Sequence, residues 1–303
     1  MFTTIREEIS MNTNKYRVFL TVVDCMNLTR AAEQLNYSQP AISHVIKSME
    51  EEFGFPLLQR THTHVLPTKE AERLIPRMRE IINHENSIYE DVNLINNIET
   101  GKINLGMYNS AMQSFMPQII NDFMEKHPGI EIELIEGNRA EIDNFLKNRI
   151  ADFAVVSRFD YPDYEFIPIM EDELRVVIPT NHPLALQEVI SPEELFKYPI
   201  LATEEFSDQD LVEICRIHGI TPNIKMRAKQ ESSLLKLAAC GIGLCIIPNL
   251  YLSNLDKRLT TRTLDSPHQH RQIGIATISI ADMSPACRRF IDSIPENITN
   301  ECW

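Results

Sequence analysis

Four polar residues fall on one face of a short predicted helix and could together read DNA. Gln39, Ser43, His44 and Lys47 have spacings that place them side by side when the chain is helical. Their side chains can donate hydrogen bonds to base edges and phosphates, and the free N–H groups of a helix N-terminus favour a phosphate nearby. This face is predicted to enter a major groove. The alternative is an ordinary amphipathic surface helix with a polar side.

Three features of the surrounding sequence would position this face. Ser38 can cap the helix, and Pro40 fits its first turn, where a missing N–H costs little. Another face carries apolar residues at helical spacing, namely Ala41, Ile42, Val45, Ile46, Met49 and Phe53. A helix containing Ala31, Ala32 and Leu35 comes shortly before, as in a helix-turn-helix.

Residues 16–68 resemble the winged helix-turn-helix of LysR-type transcriptional regulators. The family's pattern is met at residues 29–32, Leu35, residues 38–41, Ser43, Glu50, Gly54, Leu57 and Arg60. The sequence departs from the pattern at His44, where arginine is frequent, at Met49, at Leu58 and at residues 67–71.

The resemblance implies which residues meet DNA. They are Thr29, Arg30, Ser38, Gln39, Pro40, Ser43, His44, Lys47 and Arg60. Residues 60–64 would form the wing, with Arg60 contacting a phosphate. The resemblance further implies a homodimer, and by extension a homotetramer, on promoter DNA, together with a small-molecule effector and no cofactor.

Size and composition indicate a globular protein of several domains. The chain has 303 residues, of which 43% are hydrophobic, enough for two or three domains with their own cores. No apolar run is long enough to span a membrane, and the first residues lack the apolar stretch of an export signal, so we expect a cytoplasmic protein. Met11 and Asn12 resemble the usual start of the family, so residues 1–10 are treated as an N-terminal extension.

The charge is unusual for a DNA-binding protein. The chain carries −14 at pH 7, and residues 1–100 have ten Lys or Arg against fourteen Asp or Glu, a net charge of −4. Neither part of the chain is basic, so DNA binding must depend on the local placement of Arg30, Lys47 and Arg60. A dimer that presents two recognition helices would add the binding energies of two half-sites.

A long helix after the wing is predicted to build that dimer. Steps of four and three separate the positions of its apolar seam, which are Leu74, Met78, Ile81, Glu85, Ile88, Val92 and Ile95, with Glu85 the one interruption. Pro76 must lie near the first turns of this helix. Residues 99–102 would end the helix and form a hinge. The alternative is a helix packed only on its own chain.

From Ile103 onward strands and helices alternate, which indicates an α/β fold, and we expect a mostly parallel sheet. The predicted elements include a helix over 112–127 and a strand over 174–178 that leads out of a first lobe. Crossings near 176–179 and 264–270 would join two lobes. This layout resembles the type II periplasmic-binding-protein fold of LysR-type effector domains.

The predicted protein is therefore multidomain. It has an N-terminal extension (1–10), an α-rich winged helix-turn-helix domain (11–69), a long linker helix (70–100) and a two-lobed α/β effector-binding domain (101–303). Lobe 1 would cover about 101–176 and 268–303, and lobe 2 about 177–267.

A ligand of such a sheet binds beyond the carboxyl ends of the strands, in the cleft between the lobes. By resemblance to the family, the candidate effector contacts are Asn109, Ser110, Asn138, Arg139 and Thr203. Plain helix capping also explains Ser110 and Asn138. Arg139 and two helix ends favour an anion, whereas acidic residues of the other wall would repel one, namely Glu204, Glu205 and Asp208. We therefore expect a zwitterion or an amine-bearing effector.

The six cysteines keep a redox-sensing regulator of the same fold as an alternative. They have neither a C-x-x-C pair nor metal-ligand spacing, so reduced thiols are expected at Cys25, Cys215, Cys240, Cys245, Cys287 and Cys302. Cys240 and Cys245 are expected to be small buried residues. A redox sensor would use a cysteine pair, but Phe206 stands nine residues before Cys215, where the partner would be expected.

The remaining alternatives are an enzyme and a small-molecule receptor with no DNA role. The sequence has no Gly-x-Ser-x-Gly elbow, no His-Glu-x-x-His helix and no phosphate loop, so we do not expect an enzyme. His62 and His64 lack metal-ligand partners, so no metal site is expected. The prediction is an allosteric regulator whose effector shifts two or more recognition helices on promoter DNA.

Overall fold

The structure, a computed structural model, describes residues 2–60, 64–96, 99–204, 209–295 and 298, with the backbone alone for residues 2–12, 60, 109 and 160. The chain divides into two compact units, which are described separately. One contains residues 1–100 with 147–150, and the other contains residues 101–146 with 151–303. Within the described ranges, no helix is long and apolar enough to cross a membrane.

The N-terminal unit combines helices with a two-stranded antiparallel ribbon. In chain order its elements are α1 (Phe2–Cys25), α2 (Leu28–Leu35), α3 (Gln39–Phe53), β1 (Leu58–Arg60), β2 (Val65–Pro67), α4 (Lys69–Glu72) and α5 (Ile75–Ile95). Its core contains Phe19 of α1, Ala31 of α2, Ile42 and Met49 of α3 and Met78 of α5. Residues 2–10, predicted as an extension, are the first turns of α1.

The C-terminal unit alternates strands and helices. Its elements are β3 (Gly101–Met107), α6 (Asn109–Met112), α7 (Met116–Lys126), β4 (Ile130–Glu136), α8 (Arg139–Lys147), β5 (Phe153–Ser157), β6 (Glu165–Pro179), β7 (Val189–Ile190), α9 (Pro192–Leu195), β8 (Ile200–Thr203), α10 (Gln209–His218), β9 (Ile224–Ala228), α11 (Glu231–Ala239), β10 (Cys245–Pro248), β11 (Leu259–Leu264), β12 (His270–Thr277) and α12 (Pro285–Asp292). Short 3-10 turns cover Arg158–Asp160, Pro183–Leu186 and Asn249–Tyr251.

The expectation of a mostly parallel sheet is wrong, because the sheet is mixed. Its strands follow the order β4-β3-β5-β12-β6-β11-β7, and β10 also pairs with β6. β3 runs parallel to β4 and β5, but β12 is antiparallel to β5 and β6, and β6 is antiparallel to β10 and β11. The cause is the double crossing: β6 leaves the first lobe and β12 returns beside it in the opposite direction. β8 and β9 form a separate parallel pair.

The strand that joins the lobes is longer than predicted. β6 extends the predicted strand 174–178 back to Glu165. Residues 165–173 pair with β12, whereas residues 174–179 pair with β10 and β11, so the crossing lies between Glu173 and Leu174 rather than at 176–179. The polar run of Glu171, Asp172 and Glu173 interrupts the apolar pattern from which this part of the strand would be predicted.

The predicted helix 112–127 begins later than expected, as α7 at Met116, and a separate short helix, α6, ends at Met112. Residues 113–115 separate them, and Pro117 lies in the first turn of α7. Proline lacks an N–H and fixes its own φ angle, so it favours the start of a new helix over continuation of the previous one.

Strands β7 and β11 were not predicted from the sequence. Each lobe has its own core, centred on residues such as Phe153 and Phe290 in the first and Leu174 and Ile214 in the second.

Candidate DNA-reading face and ligand cleft

Local capping sets the ends of the two helices that form the helix-turn-helix. The Asn27 side chain accepts hydrogen bonds from the backbone N–H groups of Thr29 (2.8 Å) and Arg30 (3.1 Å) at the start of α2. The Ser38 hydroxyl accepts from the N–H of Ala41 (3.3 Å), as the sequence predicted for α3. Gly54 ends α3 with a φ of +79°, a left-handed conformation that costs glycine little.

The two faces of α3 differ as predicted. Ile42, Ile46 and Met49 are buried in the core of the N-terminal unit. Gln39, His44 and Lys47 are exposed, and Ser43 is half-buried. The Lys47 ammonium lies 3.7 Å from the carboxylate of Glu51, and both side chains are well exposed. Such an exposed pair contributes little energy, so it does not prevent the ammonium from meeting a phosphate or a base.

The other predicted DNA contacts lie at the starts of α2 and α3 and at the end of β1. Thr29, Arg30, Ser38 and Pro40 are exposed in the N-terminal unit. Arg60 ends strand β1 of the wing, but its side chain and residues 61–63, among them His62, lie outside the described residues.

The wing is attached to α3 by hydrogen bonds from its own backbone. The Glu50 carboxylate accepts from the N–H groups of Leu57 (2.8 Å) and Leu58 (3.3 Å). The Thr68 hydroxyl donates to the carbonyl of Pro56 (2.8 Å) on the other side of the ribbon. These contacts fix the start and the end of the wing relative to α3.

Helix α5 buries one side in its own unit and leaves much of the predicted seam exposed. Met78 is buried, and the Glu85 carboxylate is 2.9 Å from both the hydroxyl of Thr13 and the guanidinium of Arg17 on α1. In contrast, four apolar side chains of the seam are exposed, namely Ile81, Ile88, Val92 and Ile95. Pro76 lies in the first turn of α5, as predicted.

The C-terminal unit contains a cleft of about 350 Å³ at the carboxyl ends of β3, β4 and β8. Four of the five predicted effector contacts line it: Ser110, Asn138, Arg139 and Thr203. The side chain of Asn109 is not described. Glu204 is exposed and is not part of the cleft wall, whereas Glu205 and Asp208 lie outside the described residues.

Asn138 has the capping role that was the alternative to ligand binding. Its side-chain oxygen accepts from the N–H of Glu141 (3.0 Å), and its own N–H donates to the Glu141 carboxylate (2.8 Å). This reciprocal pair is a capping box at the start of α8. A carboxylate of the protein therefore already occupies part of the helix end that the sequence suggested for an anionic ligand.

The centre of the cleft contains an ion pair that the sequence did not reveal. Nε and Nη2 of Arg271 lie 3.0 and 2.8 Å from Oδ2 of Asp172, and Oδ1 of Asp172 accepts from the N–H of Leu250 (3.1 Å). Arg271 is 7% exposed and Asp172 is fully buried. No sequence pattern joins these two residues, since they meet only because β6 and β12 are neighbours.

The pKa values of this pair reflect burial and charge together. Burial alone would lower the pKa of the Arg271 guanidinium, but the carboxylates of Asp172 and Asp210 outweigh burial and raise it. Burial raises the pKa of the Asp172 carboxyl, and the guanidinium opposes that rise. Burial also raises the pKa of Tyr251, whose hydroxyl contacts Glu231 and Ser110 at the same wall of the cleft.

The cysteines within the described part of the chain are free thiols. No disulfide joins Cys25, Cys215, Cys240, Cys245 or Cys287. Cys245 is buried in β10 as expected, but Cys240 is exposed where α11 ends, so the expectation of burial is wrong there. Cys302 and Phe206 lie outside the described residues. The same described ranges hold no cluster of three or more metal-ligating His, Cys, Asp or Glu residues.

Comparison with known proteins accounts for both units. Residues 13–72 match the family described as "Bacterial regulatory helix-turn-helix protein, lysR family", and residues 96–298 match the "LysR substrate binding domain". The chain is 26% identical over 291 residues to the uncharacterized HTH-type transcriptional regulator YvbU of Bacillus subtilis (strain 168), covering 94% of this chain and 98% of the relative.

Two solved structures share the fold. A full-length variant of OxyR from Pseudomonas aeruginosa has a TM-score of 0.78 at 20% identity, covering 93% of this chain and 94% of that one. Full-length CbnR in complex with its target DNA has a TM-score of 0.64 at 15% identity, covering 93% and 98%. The chain belongs to the LysR family: it is a DNA-binding transcriptional regulator with an effector-binding domain, and not an enzyme.

Proposed function

We propose that a homodimer of this chain places two copies of α3 in the major groove at two half-sites of a promoter, and that a small molecule in the cleft changes their relative placement. The observation that carries the proposal is the exposed polar face of α3, formed by Gln39, His44 and Lys47, beside a buried apolar stripe. A helix with amide, imidazole and ammonium donors has the shape and the chemistry that a major groove accepts.

Each predicted contact has a role in this proposal. The residues on the polar face of α3 contact base edges, namely Gln39, Ser43, His44 and Lys47. The residues around the two helix starts contact the sugar-phosphate backbone, namely Thr29, Arg30, Ser38 and Pro40, with Arg60 from the wing. Phosphate contacts fix the register of the protein on DNA, and contacts with base edges provide the specificity.

The acidic balance of the chain makes the dimer essential to the proposal. With −4 on residues 1–100, one subunit gains little from bulk electrostatic attraction. The exposed apolar residues of α5 offer a helical seam through which a second copy can pack, as in coiled coils. Two such dimers would form the homotetramer that the family resemblance implies.

A zwitterion or an amine-bearing molecule is the effector class that the cleft supports best. Its wall includes the basic residues Arg139 and Lys229 as well as the acidic residues Glu136 and Glu231. Ser110, Asn138 and Thr203 add neutral hydrogen-bonding groups, and Asn109 belongs to the same loop as Ser110. Closure of the lobes on the effector would couple the cleft to the recognition helices by about 1–3 kcal/mol.

The experiment is a fluorescence anisotropy titration of the DNA upstream of the protein's own gene, with the wild type and the Gln39→Ala/Lys47→Ala double variant. The expected result is at least about a tenfold loss of affinity, since each good contact with a base contributes about 1–3 kcal/mol. Lys126→Ala is the control, because it removes the same charge from the exposed side of α7. Unchanged binding by a folded double variant would contradict the proposal.

A further inference from the structure

The carboxylate of Asp210 is one of the acidic groups that the wall presents to the cleft. It lines the cleft from the first turn of α10 and is 19% exposed. Its Oδ1 lies 2.9 Å from Nε2 of His268, whereas its Oδ2 lies 3.9 Å from Nη1 of Arg271. The second distance exceeds that of a hydrogen bond, so Oδ2 keeps the capacity to accept one from a ligand.

The nearest cationic side chain, Arg271, leaves Asp210 able to attract a cationic ligand, because Arg271 is already paired with the carboxylate of Asp172. Two nitrogens of Arg271 share Oδ2 of Asp172 at 2.8 and 3.0 Å, and a third contact places Nη2 3.4 Å from the Ser110 hydroxyl. An anionic ligand that approached Arg271 would meet both Asp172 and Asp210. This part of the cleft is therefore a poor receptor for a carboxylate and a good one for a cation.

His268 comes from the segment that returns the chain to the first lobe, residues 265–269, between β11 and β12. Its backbone N–H donates to the Ser266 hydroxyl (3.3 Å), and that hydroxyl lies 3.1 Å from Nε2 of His218. Nδ1 of His218 lies 2.8 Å from the Glu193 carboxylate. The ring of Phe159 packs on the His268 imidazole at 5.0 Å between centroids. These contacts fix the imidazole, and through it the orientation of Asp210.

We propose that Asp210 binds a cationic group of the effector, such as a primary ammonium, and that His268 is the positioning residue that orients its carboxylate. This inference rests on the proposed function, since it assigns the cleft a ligand. It adds a position for each end of a zwitterionic ligand. The ammonium of the ligand lies at α10, and the carboxylate of the ligand is directed towards Arg139 or Lys229. Other charged groups face the pair from their own elements: Glu213 from α10, Arg271 from β12 and Asp172 from β6.

The test is isothermal titration calorimetry of the full-length protein with two matched probes. One is an equimolar mixture of the common amino acids other than lysine, arginine and histidine, and the other is the same mixture with every α-amine acetylated, which removes the cation and keeps the carboxylate. The expected result is saturable binding of the first mixture alone at millimolar concentration. Equal binding of both, binding of the acetylated mixture alone, or binding of neither would overturn the proposal.

Three variants separate the two roles. Asp210→Asn keeps the shape of the side chain and removes its charge, so the affinity for the amino-acid mixture should fall at least about tenfold, the loss typical of a hydrogen bond to a charged group. His268→Ala should weaken binding as well, and His268→Gln should restore part of it by donating to Asp210. His270→Gln is the matched control: it makes the same change two residues further along the chain, at an exposed side chain of β12 outside the cleft wall, so affinity should be unchanged.

Rescue by His268→Gln distinguishes positioning from a purely structural role, because the glutamine amide can donate to the Asp210 carboxylate as the imidazole does. Equal affinities of His268→Ala and His268→Gln for the amino-acid mixture would contradict the role of His268. DNA binding by the α3 variants is measured without amino acids, so failure of either proposal is recognised separately.

Discussion

Asp172 on β6 and Arg271 on β12 lie 99 residues apart in sequence, yet Oδ2 of one is 2.8 Å from Nη2 of the other. The pair stands where the two strands that connect the lobes run side by side, and water is excluded from the carboxylate. It therefore joins the wall of the cleft to the framework that holds the lobes together. Changes to this pair should affect folding before they affect ligand binding.

Asp172→Asn should strongly destabilise the C-terminal unit. Loss of the carboxylate leaves the Arg271 guanidinium buried with Asp210 only at 3.9 Å, and breaking a buried ion pair costs about 3–5 kcal/mol. Urea unfolding followed by circular dichroism measures the effect. Asp256→Asn is the control, because its partner Arg258 is exposed and the midpoint of unfolding should stay the same. A wild-type midpoint for Asp172→Asn would show that the pair is not essential.

Asn27→Ala should lower the stability of the N-terminal unit by about 1 kcal/mol. It removes the acceptor for the N–H groups of Thr29 and Arg30 in the first turn of α2, whereas Asn27→Asp keeps an acceptor and should stay close to the wild type. Thermal unfolding of the three proteins at one concentration makes the comparison. If alanine and aspartate behaved alike, the cap would contribute nothing measurable to folding.

Acidification should destabilise the protein in part through His182. Burial lowers the pKa of this imidazole below its ordinary value of 6.5, and the Nδ1 atom accepts from the N–H of Leu184 (3.3 Å), which requires the neutral ring. The folded state takes up the proton less readily than the unfolded chain. The stabilisation is therefore complete above pH 6.5 and is lost as pH falls through the lowered pKa of the folded state.

His182→Asn tests this dependence, because asparagine can accept the same hydrogen bond and does not titrate. The urea midpoint of the wild type, relative to that of the variant, should decline as pH falls from neutral towards about 5. A constant difference across this range would show that His182 does not contribute to the pH dependence.

Ile88→Glu should disrupt the proposed dimer. The side chain is 62% exposed on α5 and contributes to the seam with Ile81, Val92 and Ile95, so a charge there would be placed in an apolar contact. Analytical ultracentrifugation should detect a smaller species at a concentration where the wild type is dimeric. Leu186→Glu makes the same kind of change at an exposed residue of the C-terminal unit and should leave the mass unchanged. Equal masses for all three proteins would exclude α5 as the interface.

Local signals predicted the DNA-reading unit well and the connection between the lobes poorly. Ser38, Pro40 and Gly54 define the ends of α3 through their own backbone preferences, so its start and face could be predicted from nearby residues. The first half of β6 could not be predicted in this way, because Glu171, Asp172 and Glu173 interrupt its apolar pattern. The partners of Asp172 and Asp210 lie on distant strands and segments, and only the sheet register brings them together.

The central claim is that α3 reads base sequence rather than merely contacting phosphates. The most direct measurement is the ratio of affinities for the promoter and for a scrambled duplex of equal length and composition, with the wild type and Gln39→Ala at one salt concentration. Because an amide contacts base edges, Gln39→Ala should lower that ratio about 5- to 150-fold, equivalent to about 1–3 kcal/mol. Binding to scrambled DNA should stay unchanged. An unaltered ratio, or equal losses on both duplexes, would contradict the account.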